Sequence, residues 1–288
     1  MASAPQDGEI MITDCIKGLE EKVKARVPFN EGDYLVDGLL YCGKCRTPKQ
    51  GRFETAWGIR EPYHLCKCEV ERREREKRDQ EAREMADKIR GYRTMGFPEA
   101  EMQNWTFEAD DQTNRRLTSV MHRYVDHFPE MKKSGKGLLL FGEVGVGKSF
   151  YAACVVNALI DQGIPCLMTN FMRLTNTIQG MFEGKQDYID SLNKFSLLAI
   201  DDLGVERGTE TMNEMVYNII DSRYRVGLPL IITTNTTADE LKNPKDIHKA
   251  RIYSRLMEMC IPIEVKGCDR RKKKLKDDFS EYKDLLGL

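Results

Sequence analysis

The sequence predicts an α/β fold: a parallel sheet between helices, preceded by a small cysteine-rich module and a charged connector. Three observations carry this expectation. From about residue 91 onward, short and almost fully apolar segments alternate with helical ones, the pattern of strands covered on both faces. A glycine-rich loop joins one of these strands to the helix that follows it. Four cysteines sit close together near the N-terminus, while the others scatter.

At 288 residues the chain has room for one large domain or two smaller ones, and for a core that needs no disulfides. Lys and Arg total 45 against 46 Asp and Glu, a net charge of −1. That excludes a globally basic DNA-coating protein and leaves local patches for any nucleic-acid contact. With 41% hydrophobic and 32% charged residues, the composition is that of a soluble globular protein with a charge-rich surface. No apolar run approaches the ~18 residues of a membrane span. Residues Met1–Glu9 lack the basic and apolar regions of a signal peptide. Nine cysteines, an odd number without a secretion signal, indicate a reducing compartment, the cytoplasm. Cys154 and Cys166 lie in apolar surroundings and read as small core residues.

The elements follow in order. Residues 1–68 hold a short helical pattern, Ile10–Val27, and the cysteine cluster. Residues 69–90 are almost all charged or helix-forming, without Gly or Pro. Glu and Arg at helical spacing support one another there, and the scarcity of apolar positions predicts an exposed connector helix. Residues 91–288 form the third region. It opens with a linker, Gly91–Asp111, and a helical pattern, Gln112–Phe128. Strands are expected at Gly137–Phe141, Pro165–Thr169, Ser196–Ile200, Pro229–Thr233 and Ile261–Val265. Helices are expected between them at Ser149–Gln162, Phe171–Phe182, Thr209–Val226 and Ile247–Met259.

The most specific motif is Gly142-Glu143-Val144-Gly145-Val146-Gly147-Lys148-Ser149, which matches G-x-x-x-x-G-K-[ST] between a strand and a helix. Glycines let backbone N–H groups turn inward around phosphate oxygens, and the helix N-terminus adds partial positive charge. Lys148 is placed to reach the β- and γ-phosphates of ATP, and the Ser149 hydroxyl to bind Mg²⁺. The apolar strand at 196–200 then emerges at Asp201-Asp202. Asp201 is placed to hold Mg²⁺, and Asp202 to orient and polarise the attacking water. The next strand ends at Thr234-Asn235. Asn235 is the candidate for the γ-phosphate or the water, with Thr234 as second choice. A helix-capping role is the alternative, but Thr237 with Glu240 fits a capping box and leaves Asn235 free for it. Arg251 and Arg255 share a helix face. Arg255 is the candidate for an arginine finger acting on a neighbouring subunit, with a salt-bridged surface arginine as the alternative.

Near the N-terminus, Cys42-x-x-Cys45 and Cys66-x-Cys68 supply four thiolates in two close pairs, a donor set for structural, tetrahedral Zn²⁺. His64 is an alternative fourth ligand. The segment between the pairs is rich in Gly and Pro and too small to fold on apolar burial alone.

These motifs in this order, G-E-V-G-V-G-K-S, I-D-D-L-G, I-I-T-T-N and Y-S-R-L, resemble the AAA+ ATPases of the DnaC/DnaI helicase-loader group, with IstB-type transposition ATPases as near relatives. The resemblance covers roughly Phe97–Arg271. It implies a P-loop NTPase core with a five-stranded parallel sheet, and Arg255 in the arginine-finger position. Arg270 or Arg271 takes the place of a sensor arginine. Asp201-Asp202 departs from the usual Asp-Glu. Only 23 residues follow Val265, too few for a large helical lid. Loaders of this type carry a similar N-terminal zinc module that touches the helicase.

The resemblance therefore implies an ATPase, slow and stimulated by DNA or a partner. It would bind a replicative hexameric helicase and deliver it to single-stranded DNA, assembling as a spiral or ring of its own copies away from any membrane. The basic run Arg270–Lys276 is a candidate DNA contact or simply a solvated tail. Two alternatives stand beside the loader: an IstB-like transposition helper on duplex DNA, and an adaptor that binds nucleotide without turnover.

Overall fold

The computed structural model describes residues 29–204, 210–270 and 283. The chain forms two units that divide between Glu84 and Met85. The helical pattern Ile10–Val27 and Cys15 lie outside the described residues.

The first unit contains two short antiparallel hairpins. β1 (Tyr34–Val36) pairs with β2 (Leu39–Tyr41), and β3 (Phe53–Thr55) with β4 (Gly58–Arg60). Asp37 and Gly38 join the first pair, both at positive φ (49° and 79°), the conformation a two-residue hairpin loop needs to match strand twist. The sequence carries no signal of these hairpins, because three-residue strands are too short to show alternation. Lys49 and Asp33 form a buried ion pair beneath them, and Asp33 also accepts the backbone N–H of Asn30 and Gly43. Helix α1 (Lys67–Gly96) carries exposed pairs such as Arg72 with Glu69 and Glu76.

The second unit holds a five-stranded sheet in the order β6-β7-β8-β5-β9, with β5 (Gly137–Phe141), β6 (Cys166–Asn170), β7 (Leu197–Leu203), β8 (Leu230–Thr234) and β9 (Cys260–Glu264). Every neighbouring pair is parallel. Alternate strand residues serve opposite faces. Leu138, Leu140, Leu197, Ala199 and Ile231 join a core with α2 (Arg115–Asp126), α3 (Phe128–Ser134) and α4 (Lys148–Asp161). Leu139, Phe141, Leu198, Ile200 and Ile232 join a second core with α5 (Phe171–Gln179), α6 (Lys185–Ser191), α7 (Glu210–Val226) and α9 (Ile247–Met259). A short α8 (Ala238–Lys242) follows β8. Cys154 and Cys166 are buried core residues, and burial pushes the Cys166 and Cys260 thiols up to about 12.

Several boundaries differ from the expectation. α1 runs on to Gly96, because Ile89 and Tyr92 find the first core. The expected linker then continues as two 3-10 turns, Ala100–Asn104 and Phe107–Ala109, with Met102, Trp105 and Phe107 packed on that core. The expected helix 112–128 breaks at His127, where Pro129 opens α3. α5 stops at Gly180, and α6 is an additional helix whose N-cap, Gly184, has φ 74°. No helix among the described residues is long and apolar enough to cross a membrane.

Candidate nucleotide site and metal centre

Sheet order brings the site together. β8 lies between β5 and β7, with Phe141 opposite Thr234 and Leu203 opposite Thr234 on the other side. The residues that follow these strand ends therefore converge on one edge, as expected at the carboxyl ends of an open parallel sheet.

The loop after β5 holds Gly142, Gly145 and Gly147 at φ 143°, 82° and 95°, a region glycine enters without cost. A Cβ on Gly142 would lie 2.4 Å from the Val265 carbonyl oxygen, and one on Gly145 would collide with the Asp269 carboxylate. α4 begins immediately after Gly147, so its first N–H groups and its dipole face the loop. Lys148 is buried. Its Nζ donates to the Gly142 and Glu143 carbonyls at 2.9 and 2.6 Å and to Asn235 Oδ1 at 2.7 Å. A cleft of about 430 Å³ opens here, lined by Trp105, Gly145, Gly147, Lys148, Ser149, Phe150, Asp202, Asn235 and Arg270. Glu143 and Val144 are exposed on the loop, and Val146 is buried beneath it.

β7 carries one extra residue relative to β8 between Ile200 and Leu203, and Asp202 sits in this bulge at φ 57°. Strict alternation would send neighbouring side chains to opposite faces; a bulge re-aims them. Asp201 is buried and accepts from the Thr233 hydroxyl, whose oxygen in turn accepts the Asp202 N–H at 3.0 Å. Asp202 itself lines the cleft. Thr234 donates to the Leu203 carbonyl at 2.8 Å and is committed to the bulge. Thr237 accepts the Glu240 N–H at 3.3 Å and caps α8. The capping alternative for Asn235 thus goes to Thr237, and Asn235 meets Lys148.

Arg255 does not line this cleft. It lies on α9 against α7, its guanidinium 4.1 Å over the Tyr224 ring. Arg251, one turn earlier, is exposed. Arg270 does reach the cleft: its N–H donates to the Gly145 carbonyl at 2.9 Å. Its guanidinium donates to Thr113 and Tyr151 at 3.0 and 3.2 Å and pairs with Asp111 at 3.2 Å. Arg271 lies outside the described residues. Trp105 also lines the cleft, although in the sequence it carries no signal beyond that of an apolar residue in a linker. Tyr151 carries no signal either; with Asp110 and Thr118 it forms a buried network under Arg270.

In the first unit the four thiols of Cys42, Cys45, Cys66 and Cys68 lie within 4.8 Å of one another. Cys42–Cys68 and Cys66–Cys68 measure 3.6 and 3.5 Å. Sulfurs around tetrahedral zinc, with bonds of ~2.3 Å, stand about 3.8 Å apart, so the donor set fits that ion. Cys42 and Cys45 occupy a tight turn closed by Arg46 N–H to Cys42 O at 2.9 Å. N–H groups of Cys45 and Lys44 hold the Cys42 thiol below its ordinary value despite burial. Burial opposes the Thr47 hydroxyl and nearby N–H groups at Cys45, but these win and bring it to about 5. Cys66 and Cys68 flank the first residue of α1, which explains the unusual C-x-C spacing. His64 stands outside the cluster, with its Nδ1 against the Leu65 carbonyl at 3.4 Å.

The family model described as IstB-like ATP binding protein matches residues 67–277. The replicative helicase loader DnaI of Bacillus subtilis (strain 168) is 25% identical over 182 residues, 58% of this chain and 58% of that protein. The replicative helicase loader DnaC of Escherichia coli (strain K12) is 24% identical over 143 residues, 48% of this chain and 56% of that protein. The chain thus spans less than two thirds of the length of either relative. A crystal structure of DnaI superimposes with a TM-score of 0.51 at 25% identity, covering 62% of this chain and 98% of that one. The sheet and phosphate loop are those of an AAA+ core. The matched stretch holds the glycine loop, the acidic end of β7, Asn235 and Arg255, and the chain belongs to the IstB-like ATP binding protein family.

Proposed function

We propose that this protein is an ATP-dependent loader that binds a replicative hexameric helicase in the cytoplasm and delivers it to single-stranded DNA. The observation that carries the reading is the convergence of Lys148, Asp202 and Asn235 on one cleft, in a chain that also bears a four-thiol module on a separate unit. The two named loader relatives supply the helicase as partner.

In this reading the glycine loop and Lys148 bind the ATP phosphates. Ser149 and Asp201 would hold magnesium, which would supply charge neutralisation for the phosphates. Lys148 is already buried, so binding exchanges two carbonyl partners for phosphate oxygens. Asp202 accepts hydrogen bonds from the attacking water and polarises it. Asn235 bridges Lys148 to the γ-phosphate side and reports whether that phosphate is present. Arg255 acts on the nucleotide of a neighbouring copy in a spiral or ring, and Arg270, which lines the cleft, or Arg271 serves as the sensor arginine. Turnover is slow until DNA or the helicase brings copies together. Residues 1–68 form the zinc-bound, helicase-contacting module, residues 69–90 the connector and 91–288 the ATPase.

Immobilised full-length protein, incubated with Mg²⁺ and ATP, is expected to retain a replicative helicase and to bind single-stranded in preference to duplex oligonucleotides. Failure to retain any replicative helicase, with preference for duplex DNA, overturns the loader reading. The family match would then favour the transposition helper.

A further inference from the structure

We propose that Tyr224 and Asp221 are positioning residues for Arg255, holding its guanidinium at the surface in the pose it needs to reach the nucleotide of a second copy. The proposal rests on the reading of Arg255 as a trans-acting group.

An arginine free in solvent loses rotamer entropy when it is fixed. A group that must stabilise charge across an interface works best when that ordering precedes assembly. Arg255 is ordered in this way. Its guanidinium carbon lies 4.1 Å over the Tyr224 ring, within cation–π range. Its Nε is 3.5 Å from Asp221 Oδ1 and its Nη1 is 3.8 Å from Glu258 Oε2. Asp221 and Tyr224 stand three residues apart on α7, on one helix face.

The clamp is itself fixed. The Asp221 carboxylate is buried and receives Arg225 Nε at 2.7 Å. The Tyr224 hydroxyl donates to Glu258 Oε1. Yet the cation is not quenched. Both ion-pair distances exceed those of short hydrogen bonds, and 34% of the Arg255 side chain stays exposed. Arg251 on the same helix has no ion pair or ring contact of this kind among the described residues. The arrangement steers one arginine and keeps its charge available.

The test measures ATP turnover by full-length protein with Mg²⁺ and a single-stranded oligonucleotide, beside nucleotide affinity. Tyr224→Ala is expected to lower turnover about ten- to hundredfold, the scale of a misplaced reacting group, with nucleotide affinity kept. Tyr224→Phe preserves the stack and restores most of the rate, and Asp221→Asn lowers it in the same direction as Tyr224→Ala. Mixing equal amounts of Tyr224→Ala and Lys148→Ala proteins separates positioning from folding. The second variant cannot bind ATP tightly but presents an intact Arg255, so random assembly should restore about one quarter of the sites. Turnover of Tyr224→Ala within about twofold of wild type refutes the proposal, and so does failure of the mixture to recover activity. Undiminished turnover in Arg255→Ala would instead remove the trans-acting reading and the proposal with it.

Discussion

Arg223 offers a quantitative test of how the sheet is held at the edge opposite the nucleotide. It lies on α7 with 1% exposure and donates to the Phe195 and Pro229 carbonyls at 2.8 Å, and more weakly to Leu192 and Ser196 at 3.4 Å. Ser196 and Pro229 immediately precede β7 and β8 and Phe195 stands one residue earlier, so one side chain ties both strand starts to α7. Burial pulls the guanidinium down to about 10, a disfavouring of the cation by about 3 kcal/mol. Because the folded value lies below the unfolded one, that cost is fully present at neutral pH and falls away only as pH rises through about 10. Two short charged hydrogen bonds contribute roughly 1.5–3 kcal/mol each. Arg223→Met removes both terms and should therefore cost about 2 kcal/mol. Arg223→Ala adds a cavity of several methylenes at ~0.8 kcal/mol each and should cost about 4–5 kcal/mol. At ~2–4 °C per kcal/mol for a unit of this size, thermal unfolding followed by circular dichroism should show Tm losses of about 4–8 °C and about 8–20 °C. An Arg223→Met protein as stable as wild type, or more so, would refute the reasoning. It would mean that desolvation outweighs the carbonyl bonds and that the arginine is a net burden on the fold.

Lys148→Ala should cut ATP affinity at least tenfold while leaving the circular dichroism spectrum intact, because the cleft loses its central cation; equilibrium binding of a fluorescent ATP analogue checks this. Gently purified protein should carry about one zinc per chain, and chelation should unfold residues 42–68 while the second unit keeps its thermal transition; metal analysis with hydrogen exchange reads both. The Lys49 ammonium and the N–H groups of Asn30 and Gly43 overcome burial and hold the Asp33 carboxyl below its ordinary value. Its stabilisation is thus present above pH ~4 and is lost as pH falls through the lowered value. Asp33→Asn should destabilise the module at neutral pH, and chemical denaturation at a series of pH values should show the gap to wild type closing in acid.

The sequence revealed most where local and global signals agree. The apolar strands and the glycine loop before Lys148 are visible as strings because a strand buried on both faces has little freedom in composition. The two cysteine pairs were equally plain, since thiolate spacing is a local property. What escaped notice depends on partners far along the chain. Nothing local in the helical run Thr209–Val226 marks Asp221 and Arg223 for burial, yet both are buried because α7 lies across two strand starts. Trp105 reads as a linker residue, and only the packing of its 3-10 turn on α4 brings it to the cleft. The end of α1 was placed too early because Ile89 and Tyr92 are two apolar residues among many charges, and their burial depends on a core contributed by later segments.

The bulge at Asp202 ties chemistry to folding cost in a way open to evolution. A left-handed backbone at a residue bearing a Cβ costs on the order of 1 kcal/mol, and glycine would escape it. Asp202→Gly would therefore relax the strand end while deleting the carboxylate that faces the cleft. At this position a gain of robustness and the loss of a cleft carboxylate arise from the same change, so drift toward a sturdier protein would strip the cleft of a charge. A chain that keeps aspartate here carries a small permanent strain, and that strain lies at the wall of the cleft.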